Sequence, residues 1–465
     1  MKVTIHVSVE TDDPATTTDY TIGTLERAEL SLATLGLTLD DAKTILAGLQ
    51  EVLVTEQVAA FVAQHGQCPH CNAPRPRKGQ HDLVMRTLFG TLTLESPRLY
   101  TCACQETDQQ SFSPLAERLP ERTTPERRYL QAKWAALLSF DRTVAALEEV
   151  FPLQTNHSTV VRHVHQAAER LDAALGPEQT MFAEGCQRAW EALPPPEGRI
   201  TVGLDGAYVH AREGDNRTAG WFEVIVGKSI PLDRPAKCFS FVQTSDTKPK
   251  RRLFEVLKAQ GLQMNQDLTF LSDGGATVRE LQLYLSPESE HILDWFHVTM
   301  RITQLQQQVN GLAAATRADC VRDPAQVLGS VKWYLWHGNV FRTLQELSWL
   351  ADDVEAWGET HPDAAKLAQR LWEFHDYISN NRDWIPNYGE RYRYGERIAT
   401  GFTESAVNQV VSKRMVKQQQ MRWTKQGAHR LLQVRVQVLN DDLRATFGEW
   451  YPEMERPEPA LAAAA

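Results

Sequence analysis

Apolar and polar residues alternate over residues 1–19, which predicts a half-buried β-strand, and recur with helical periodicity over 39–64. Residues 66–105 hold two β-type runs around a Phe89-Gly90 turn, a pattern that predicts a hairpin. Short helices with polar faces are predicted after the hairpin, until a run of three prolines ends this part of the chain.

The pattern after residue 198 is that of a mixed α/β domain. Three β-rich runs are separated by turn-type residues, so we expect consecutive antiparallel strands. A helix over 248–261, a buried strand in LTFLSDGG, a helix over 277–285, a short strand in HILDW and a helix over 296–312 follow. The predicted order is therefore β-β-β-α-β-α-β-α.

The next segment is helical and rich in tryptophan, which indicates a helical domain inserted into the α/β core, and the PEMERPEPALAAAA tail is expected to be disordered. The chain is predicted to divide into an N-terminal strand and helix region (1–65), a hairpin domain (66–105), a helical domain (120–190), an α/β core (198–312 and 376–440), the insertion (313–375) and the tail (452–465).

Composition narrows the class of protein. The chain has 465 residues, 42% hydrophobic and 23% charged, which excludes a disordered, collagen-like or disulfide-knot protein and suggests about three domains at roughly 150 residues each. It has no run of about 18 apolar residues and no apolar stretch at its start, so we expect a cytoplasmic protein without a membrane partner. Seven cysteines, four of them in close pairs, favour metal binding over disulfides.

The paired cysteines stand at the base of the predicted hairpin, in Cys68-Pro-His-Cys71 and Cys102-Ala-Cys104. Four thiolates in this arrangement suit a structural zinc ion, so the segment is predicted to be a zinc-ribbon-like domain. Four buried or incidental thiols are the alternative, and His70 could replace one ligand because the second pair is unusually close.

The helical domain has the pattern of a helix-turn-helix. A helix ends near a Phe-Pro pair, and Asn156 or Ser158 is expected to cap the next helix. Residues on that helix suit contacts with base edges or phosphates, and we expect exposed positions for Thr159, Arg162, His163 and Gln166. A plain helical linker domain would show the same caps and polar faces.

Charge is segregated along the chain although the net charge is −10. Residues 1–60 carry ten acids and three bases, whereas 405–440 carry no acid and a series of basic residues: Lys413, Arg414, Lys417, Arg422, Lys425, Arg430 and Arg435. A basic stretch of this kind is either a solvated face or a surface that binds the DNA backbone.

Three acids in the α/β core suggest a shared metal site. Asp205 lies inside the first core strand, where a lone charge is costly, and Asp273 ends the fourth strand, which neighbours the first in a sheet of this order. Glu404, at the start of a late helix, would complete a site for two Mg²⁺ or Mn²⁺ ions. Taken singly, an Asp before Gly-Gly is typical of a turn, and a Glu near the start of a helix typically interacts with the helix dipole.

Asp294 and His297 form a separate feature at the end of the fifth core strand. His297 could bond a scissile phosphate or orient a water molecule, while a capping Asp beside a half-buried His is the structural alternative.

These residues belong to longer strings, namely LDGAYV (204–209), LSDGG (271–275), LDWFH (293–297), WHG (336–338) and NRDWIPNYGERYRYGERIATGFTESAVNQVVSKRMVKQQQMRWTKQGAH (381–429). Over roughly residues 66 to 440 the chain resembles the DDE transposases of bacterial insertion sequences, most closely the ISKra family and more distantly the Mutator-like and hAT transposases. The resemblance implies a ribonuclease-H-like core with a catalytic triad of Asp205, Asp273 and Glu404, and a D-x-x-H motif at Asp294 and His297. It also implies the inserted helical domain and a DNA-binding front end.

The resemblance implies nicking at the ends of a mobile element in double-stranded DNA, followed by attack of the freed 3′-hydroxyl on target DNA. A homodimer is the expected assembly. We expect phosphate contacts from Lys413, Arg414, Lys417, Arg422 and Lys425. Trp423 or Trp295 could stack on an extruded base, and a position in the hydrophobic core is the alternative for both. His337, Tyr388 and Tyr394 lie in the same strings without an assigned role.

Two other functions remain open from the sequence. One is a non-catalytic DNA-binding protein derived from a transposase, and the other is a nuclease of the same fold that cleaves DNA without joining ends.

Overall fold

The computed structural model describes residues 1–10, 17–105, 107–178, 188, 192–194, 196, 198–212, 220–285, 289–312, 322–358, 362–417 and 422–454. The chain is a mixed α/β protein that divides into two compact units, Met1–Ala167 with Asp441–Ala465 and Ala168–Asn440. The hairpin domain and most of the helical domain that the sequence separates therefore belong to one unit.

The first unit opens with an antiparallel pair, β1 (Lys2–Glu10) and β2 (Thr17–Glu26), and β2 packs on the long helix α1 (Leu39–His65). Thr38 caps this helix and forms a capping box with Asp41. Gly48 lets helix and strand approach closely, because a Cβ there would lie 2.7 Å from the main-chain oxygen of Ile22.

Residues Leu32–His65 are long and apolar enough to cross a membrane by length and composition alone. Core helices of soluble proteins and signal sequences meet the same criterion; 6% of the apolar 18-residue window within this stretch is buried. This stretch still contains no uninterrupted run of about 18 apolar residues, because polar residues stand between its apolar ones.

A second sheet contains β3 (Arg77–Thr87), β4 (Gly90–Tyr100) and the short β5 (Ser111–Phe112), all antiparallel. Gly90, with φ of +143°, follows the tight turn that the sequence predicts. The helices that complete this part of the unit are α2 (Pro114–Arg118), α3 (Pro125–Leu137), α4 (Phe140–Val150) and α5 (His157–Ala174). The sequence pattern over 166–190 predicts one amphipathic helix up to the proline run. Helix α5 ends at Ala174, and most of the rest of that stretch lies outside the described residues.

The second unit is built on a five-stranded sheet of β6 (Ile200–His210), β7 (Trp221–Ile230), β8 (Lys237–Val242), β9 (Leu268–Ser272) and β10 (Glu290–Leu293). The strand order is β10-β9-β6-β7-β8. Strands β6, β7 and β8 pair antiparallel, as the sequence predicts, whereas β9 and β10 run parallel to β6.

Helices cover the sheet and form the insertion. Those between the strands are α6 (Pro249–Ala259) and α7 (Ala276–Leu285), and α8 (Trp295–Gly311) leads away from β10. The insertion comprises α9 (Pro324–Trp336), α10 (Val340–Gly358) and α11 (Pro362–Asn380), whose apolar faces share one core with α8 and β10. Between β6 and α8, the described residues therefore follow the predicted β-β-β-α-β-α-β-α order.

The chain returns to the sheet through α12 (Tyr388–Arg393), α13 (Gly401–Val407), a π-helix over Asn408–Val416 and α14 (Lys425–Leu439). Helix α14 packs on β8, and α15 (Leu443–Trp450) rejoins the first unit, where it packs on α3. Residues Pro452–Met454 form a short 3₁₀ turn, so the tail predicted to be disordered from 452 begins with ordered residues; its remainder lies outside the described residues.

Candidate functional site

Three neighbouring parallel strands each bring one aspartate to the same region: Asp205 lies in the middle of β6, just beyond its pairing with β9, whereas Asp273 and Asp294 directly follow β9 and β10. Gly203 of β6 is opposite Leu271 of β9, and extending this register by two residues sets Asp205 opposite Asp273. Leu293 of β10 is opposite Ser272, and extending that register by one residue sets Asp294 opposite Asp273. The sheet thus aligns the three aspartates in a row across its edge.

Asp205 is the half-buried member of this row, with its side chain 16% exposed. Burial raises the pKa of Asp205, and the charges of Asp273 and Asp294 raise it further, while His297 opposes the shift. The charges of the other two aspartates thus disfavour the ionised form of Asp205, an effect that a bound cation would offset. Asp273 itself is exposed at the end of β9.

Asp294 is fully buried and bonded on both oxygens. Its Oδ1 accepts the backbone N–H of Phe296 at 2.9 Å and of Thr400 at 3.0 Å, and its Oδ2 bonds the Thr400 hydroxyl. Its Oδ2 also lies 2.8 Å from His297 Nδ1. Asp294 therefore caps α8 and ties the start of α13 to the end of β10, which makes it a positioning residue more than an open metal ligand.

His297 lies between two aspartates, with Nδ1 on Asp294 and Nε2 4.0 Å from Asp205 Oδ1. The hydrogen bond to Asp294 raises the pKa of His297, and the charges of Asp294, Asp205 and Asp273 add to this against an opposing effect of burial. The imidazole is thus oriented by one carboxylate and presented to another, as a group that transfers or holds a proton requires.

Glu404 lies on α13, which packs directly over β6. Gly203 makes the approach possible, because a Cβ there would lie 2.0 Å from Thr403 Oγ1 and 2.7 Å from the Phe402 ring. The Glu404 side chain itself is exposed. Within the described residues the acids do not gather into one coordination sphere: a close group of three or more potential ligands is found for the four cysteines and not for these carboxylates.

Two tyrosines that the sequence analysis left without a role, or did not consider, support the row of aspartates. Tyr388 is fully buried and donates its hydroxyl to the Leu293 carbonyl at 2.7 Å, while Tyr377 donates to the Asp273 carbonyl at 3.1 Å. Tyr388 lies in the longest of the family-like strings, which was the available signal, whereas Tyr377 lies outside those strings and only the structure reveals it.

The four paired cysteines form a compact cluster in the first unit, and all their sulfurs lie within 4.8 Å of one another. Cys68 is 3.4 Å from Cys104, and Cys71 is 3.4 Å from Cys102. A tetrahedron with Zn–S bonds of about 2.3 Å has edges of about 3.8 Å, so the cluster could bind zinc with little adjustment.

The electrostatics of the cluster also suit a cation. Hydrogen bonds from backbone N–H groups, chiefly that of His70, lower the pKa of the Cys68 thiol to about 6. Hydrogen bonds with the other thiols, chiefly Cys68, raise the pKa of the Cys104 thiol to about 12. His70 is not one of the four clustered ligands, so it supports Cys68 through its backbone instead of replacing a cysteine.

The helix-turn-helix residues lie at the start of α5. Asn156 caps this helix by accepting the Thr159 N–H at 2.8 Å, and Ser158 and Arg162 are exposed while Thr159 is half-buried. His163 is buried instead of exposed: it contacts Gln131 at 2.5 Å, and burial lowers its pKa to about 3. The prediction for His163 was wrong because it faces the helical core.

The basic segment divides into exposed and buried residues. Lys413, Lys417, Arg422 and Lys425 are exposed, whereas Arg414 is fully buried beside the Trp423 ring, and burial lowers the pKa of Arg414 to about 9. A phosphate contact from Arg414 was expected wrongly, because the sequence alone does not show that the helix turns this residue inward.

The remaining aromatic candidates are mostly structural. Trp423 is buried and Trp295 packs against Tyr388, with ring centroids 4.7 Å apart, so both support the core. His337 ends α9 and packs on Trp333, while Tyr394 is 77% exposed.

Comparisons with known proteins add little to this site. No protein-family model matches the chain, and no curated protein matches it. Among solved structures the chain is similar to the Drosophila P element transposase strand transfer complex, with a TM-score of 0.29 and 10% identity over 69% of this chain and 93% of that chain. A likeness this distant establishes no function for this chain.

Proposed function

We propose that this protein is a DDE transposase of the ISKra type, which nicks the ends of an insertion sequence and transfers them to target DNA. The observation that carries the proposal is the alignment of Asp205, Asp273 and Asp294 on neighbouring strands, with His297 facing Asp205. A ribonuclease-H-like core is part of the proposal, and the strand order β10-β9-β6-β7-β8, with three antiparallel strands and two parallel ones, supports it.

The donor set fits a hard cation. Asp205 on β6 and Asp273 after β9 are neighbouring oxygen donors, and a cation would offset the repulsion between their charges. Glu404 is exposed on α13, which packs over β6. We propose that these three residues hold Mg²⁺ or Mn²⁺, which supplies activation of the attacking oxygen and stabilisation of the leaving oxygen.

The protein's own residues orient the substrate. His297 is positioned to donate a hydrogen bond to an oxygen of the scissile phosphate, because Asp294 fixes its Nδ1 side. Asp294 also bonds Thr400, so the helix that carries Glu404 is held relative to β10.

The first unit is proposed to recognise the DNA. Ser158, Thr159 and Arg162 lie at the start of a helix that would enter the major groove, and the cysteine cluster would stabilise a zinc-ribbon-like domain with Zn²⁺. Exposed Lys413, Lys417, Arg422 and Lys425 would contact phosphates. A homodimer bridging two DNA ends in the cytoplasm is part of the proposal.

The test is cleavage and strand transfer with a duplex carrying the element's end and a supercoiled target, in Mg²⁺ and in Mn²⁺. Asp205→Asn and Glu404→Gln should each reduce both activities by about a thousandfold or more. Asp233→Asn, which changes an exposed acid outside the site, is the matched control. Tight DNA binding without cleavage would favour the non-catalytic alternative, and cleavage without joining would favour the nuclease.

A further inference from the structure

A polar groove of about 400 Å³ lies between α8 and α11, beside the candidate active site. Its lining includes Arg301, Gln304, Gln308, Arg370, Glu373 and Phe374. Guanidinium and amide groups are donors that bind phosphate and base edges, so the groove has the chemistry of a nucleic-acid contact.

The groove follows the same face of α8 as His297. Arg301, Gln304 and Gln308 are four, seven and eleven positions after His297, spacings that fall on one helix face. At about 1.5 Å per residue, Gln308 stands about 16 Å further along the helix axis. With an axial rise of about 3.4 Å per nucleotide, this length accommodates several nucleotides.

Arg301 is connected to the candidate active site by direct contacts. Its guanidinium carbon lies 4.1 Å from the centroid of the Tyr377 ring, and the Tyr377 hydroxyl donates to the Asp273 carbonyl at 3.1 Å. Arg301 also has a side-chain hydrogen bond with Tyr377, and the five N–H groups of a guanidinium leave further donors for other acceptors.

The charge of the groove also favours an anion. Arg370 is paired with Glu373 at 2.7 Å, so their two charges cancel. Among the described lining residues, Arg301 then supplies the net positive charge. Three glutamines in the lining add uncharged amide donors, which also bond phosphate and sugar oxygens in nucleic-acid complexes.

We propose that this groove binds the backbone of the DNA strand that flanks the scissile phosphate, with Arg301 bonding the first phosphate beyond the site and Gln304 and Gln308 the next nucleotides. The inference rests on the proposed function, because it takes its DNA from the candidate active site.

The experiment measures binding of a fluorescent duplex bearing a single-stranded 3′ extension to the full chain, in Ca²⁺ and over a series of salt concentrations. Arg301→Ala should weaken binding about tenfold and reduce the slope of log affinity against log salt by about one, as loss of one phosphate contact does. Arg301→Lys should restore most of the slope but less of the affinity, because lysine keeps the charge without the planar fork.

Arg342→Ala, on the exposed surface of α10, is the matched control and should leave both quantities unchanged. Because Arg301 also packs on Tyr377, the double variant Gln304→Ala/Gln308→Ala tests the groove with two exposed residues and should weaken binding about fivefold. Wild-type affinity and salt slope in the folded Arg301→Ala or double variant would overturn the inference.

The two proposals fail separately. Asp205→Asn should abolish cleavage while retaining the groove's contribution to affinity, so unaltered cleavage in Asp205→Asn would contradict the proposed function and leave the binding result standing. Unaltered binding in the groove variants together with loss of cleavage in Asp205→Asn would contradict the groove alone.

Discussion

The cysteine cluster and the carboxylate site differ in how their ligands are brought together. The four cysteines stand at the base of one hairpin, and their sulfurs all lie within 4.8 Å of one another. The acids come from two strands and a later helix, and in the described residues they do not share one coordination sphere. The first arrangement is closed by local structure, and the second is assembled from distant parts of the chain.

The two arrangements suit different roles: a structural metal site and, under the proposed function, a site that also binds substrate. A closed cluster of thiolates has room for a metal ion and no substrate, so its binding energy goes into the fold. Carboxylates that remain exposed, as Asp273 and Glu404 do, leave positions for substrate oxygens. Removing metal should therefore unfold one region and leave the other folded.

The largest expected effect is on the cysteine cluster. Cys68→Ser should release the metal and lower the melting temperature of the first unit by about 10 °C or more, because zinc binding contributes folding free energy directly. Atomic emission measures the bound metal, and thermal unfolding followed by circular dichroism measures the melting temperature. Cys238→Ala changes a buried cysteine in the other unit and should keep the metal; a full complement of zinc in Cys68→Ser would contradict the assignment.

The second prediction concerns the contact that holds the carboxylate site together. Thr400→Val removes the hydroxyl bonded to Asp294, so α13 should hold Glu404 less precisely and the cleavage rate should fall about tenfold. The folded structure should persist, because the Thr400 N–H still bonds Asp294. Thr400→Ser is the matched control and should restore the rate; equal rates for Thr400→Val and wild type would exclude this role.

Much of the fold was predictable because it depends on local pattern. The alternating strands, the hairpin turn at Gly90 and the order of elements around Asp205 and Asp273 follow from periodicity and turn residues. The prediction failed where burial is decided by tertiary packing. His163 and Arg414 are polar residues on helices, and only the neighbouring elements determine that they face inward.

The candidate site was also only partly predictable. Sequence strings indicated Asp294 and His297, but the contact between Asp294 and Thr400 joins residues far apart in the chain, which no local pattern reveals. Tyr377 likewise supports Asp273 from the helical insertion. The sequence could therefore name the candidate acids and His297, while the residues that position them required the structure.

The third prediction is a pH dependence of stability. The hydrogen bond to Asp294 raises the pKa of His297 in the folded state. Protonated His297 therefore stabilises the fold fully below the unfolded-state pKa of about 6.5, and this stabilisation is lost as pH rises through the folded-state pKa. Urea unfolding of the metal-free protein should show the free energy of unfolding falling across that range. His297→Gln should lose this part of the slope, and an unchanged slope would show that another group causes it.

The smallest expected effect concerns the basic segment, where exposed and buried charges should behave differently. Lys413→Ala/Lys417→Ala should reduce the salt slope of DNA binding by about two and leave stability unchanged, because both side chains are exposed. Arg414→Ala should instead lower stability, since it leaves a cavity beside Trp423. Salt-dependent fluorescence anisotropy and urea unfolding separate the two. If Arg414→Ala changed the salt slope as much as the lysine pair without loss of stability, Arg414 would have to reach the DNA, and the segment would have to refold on binding.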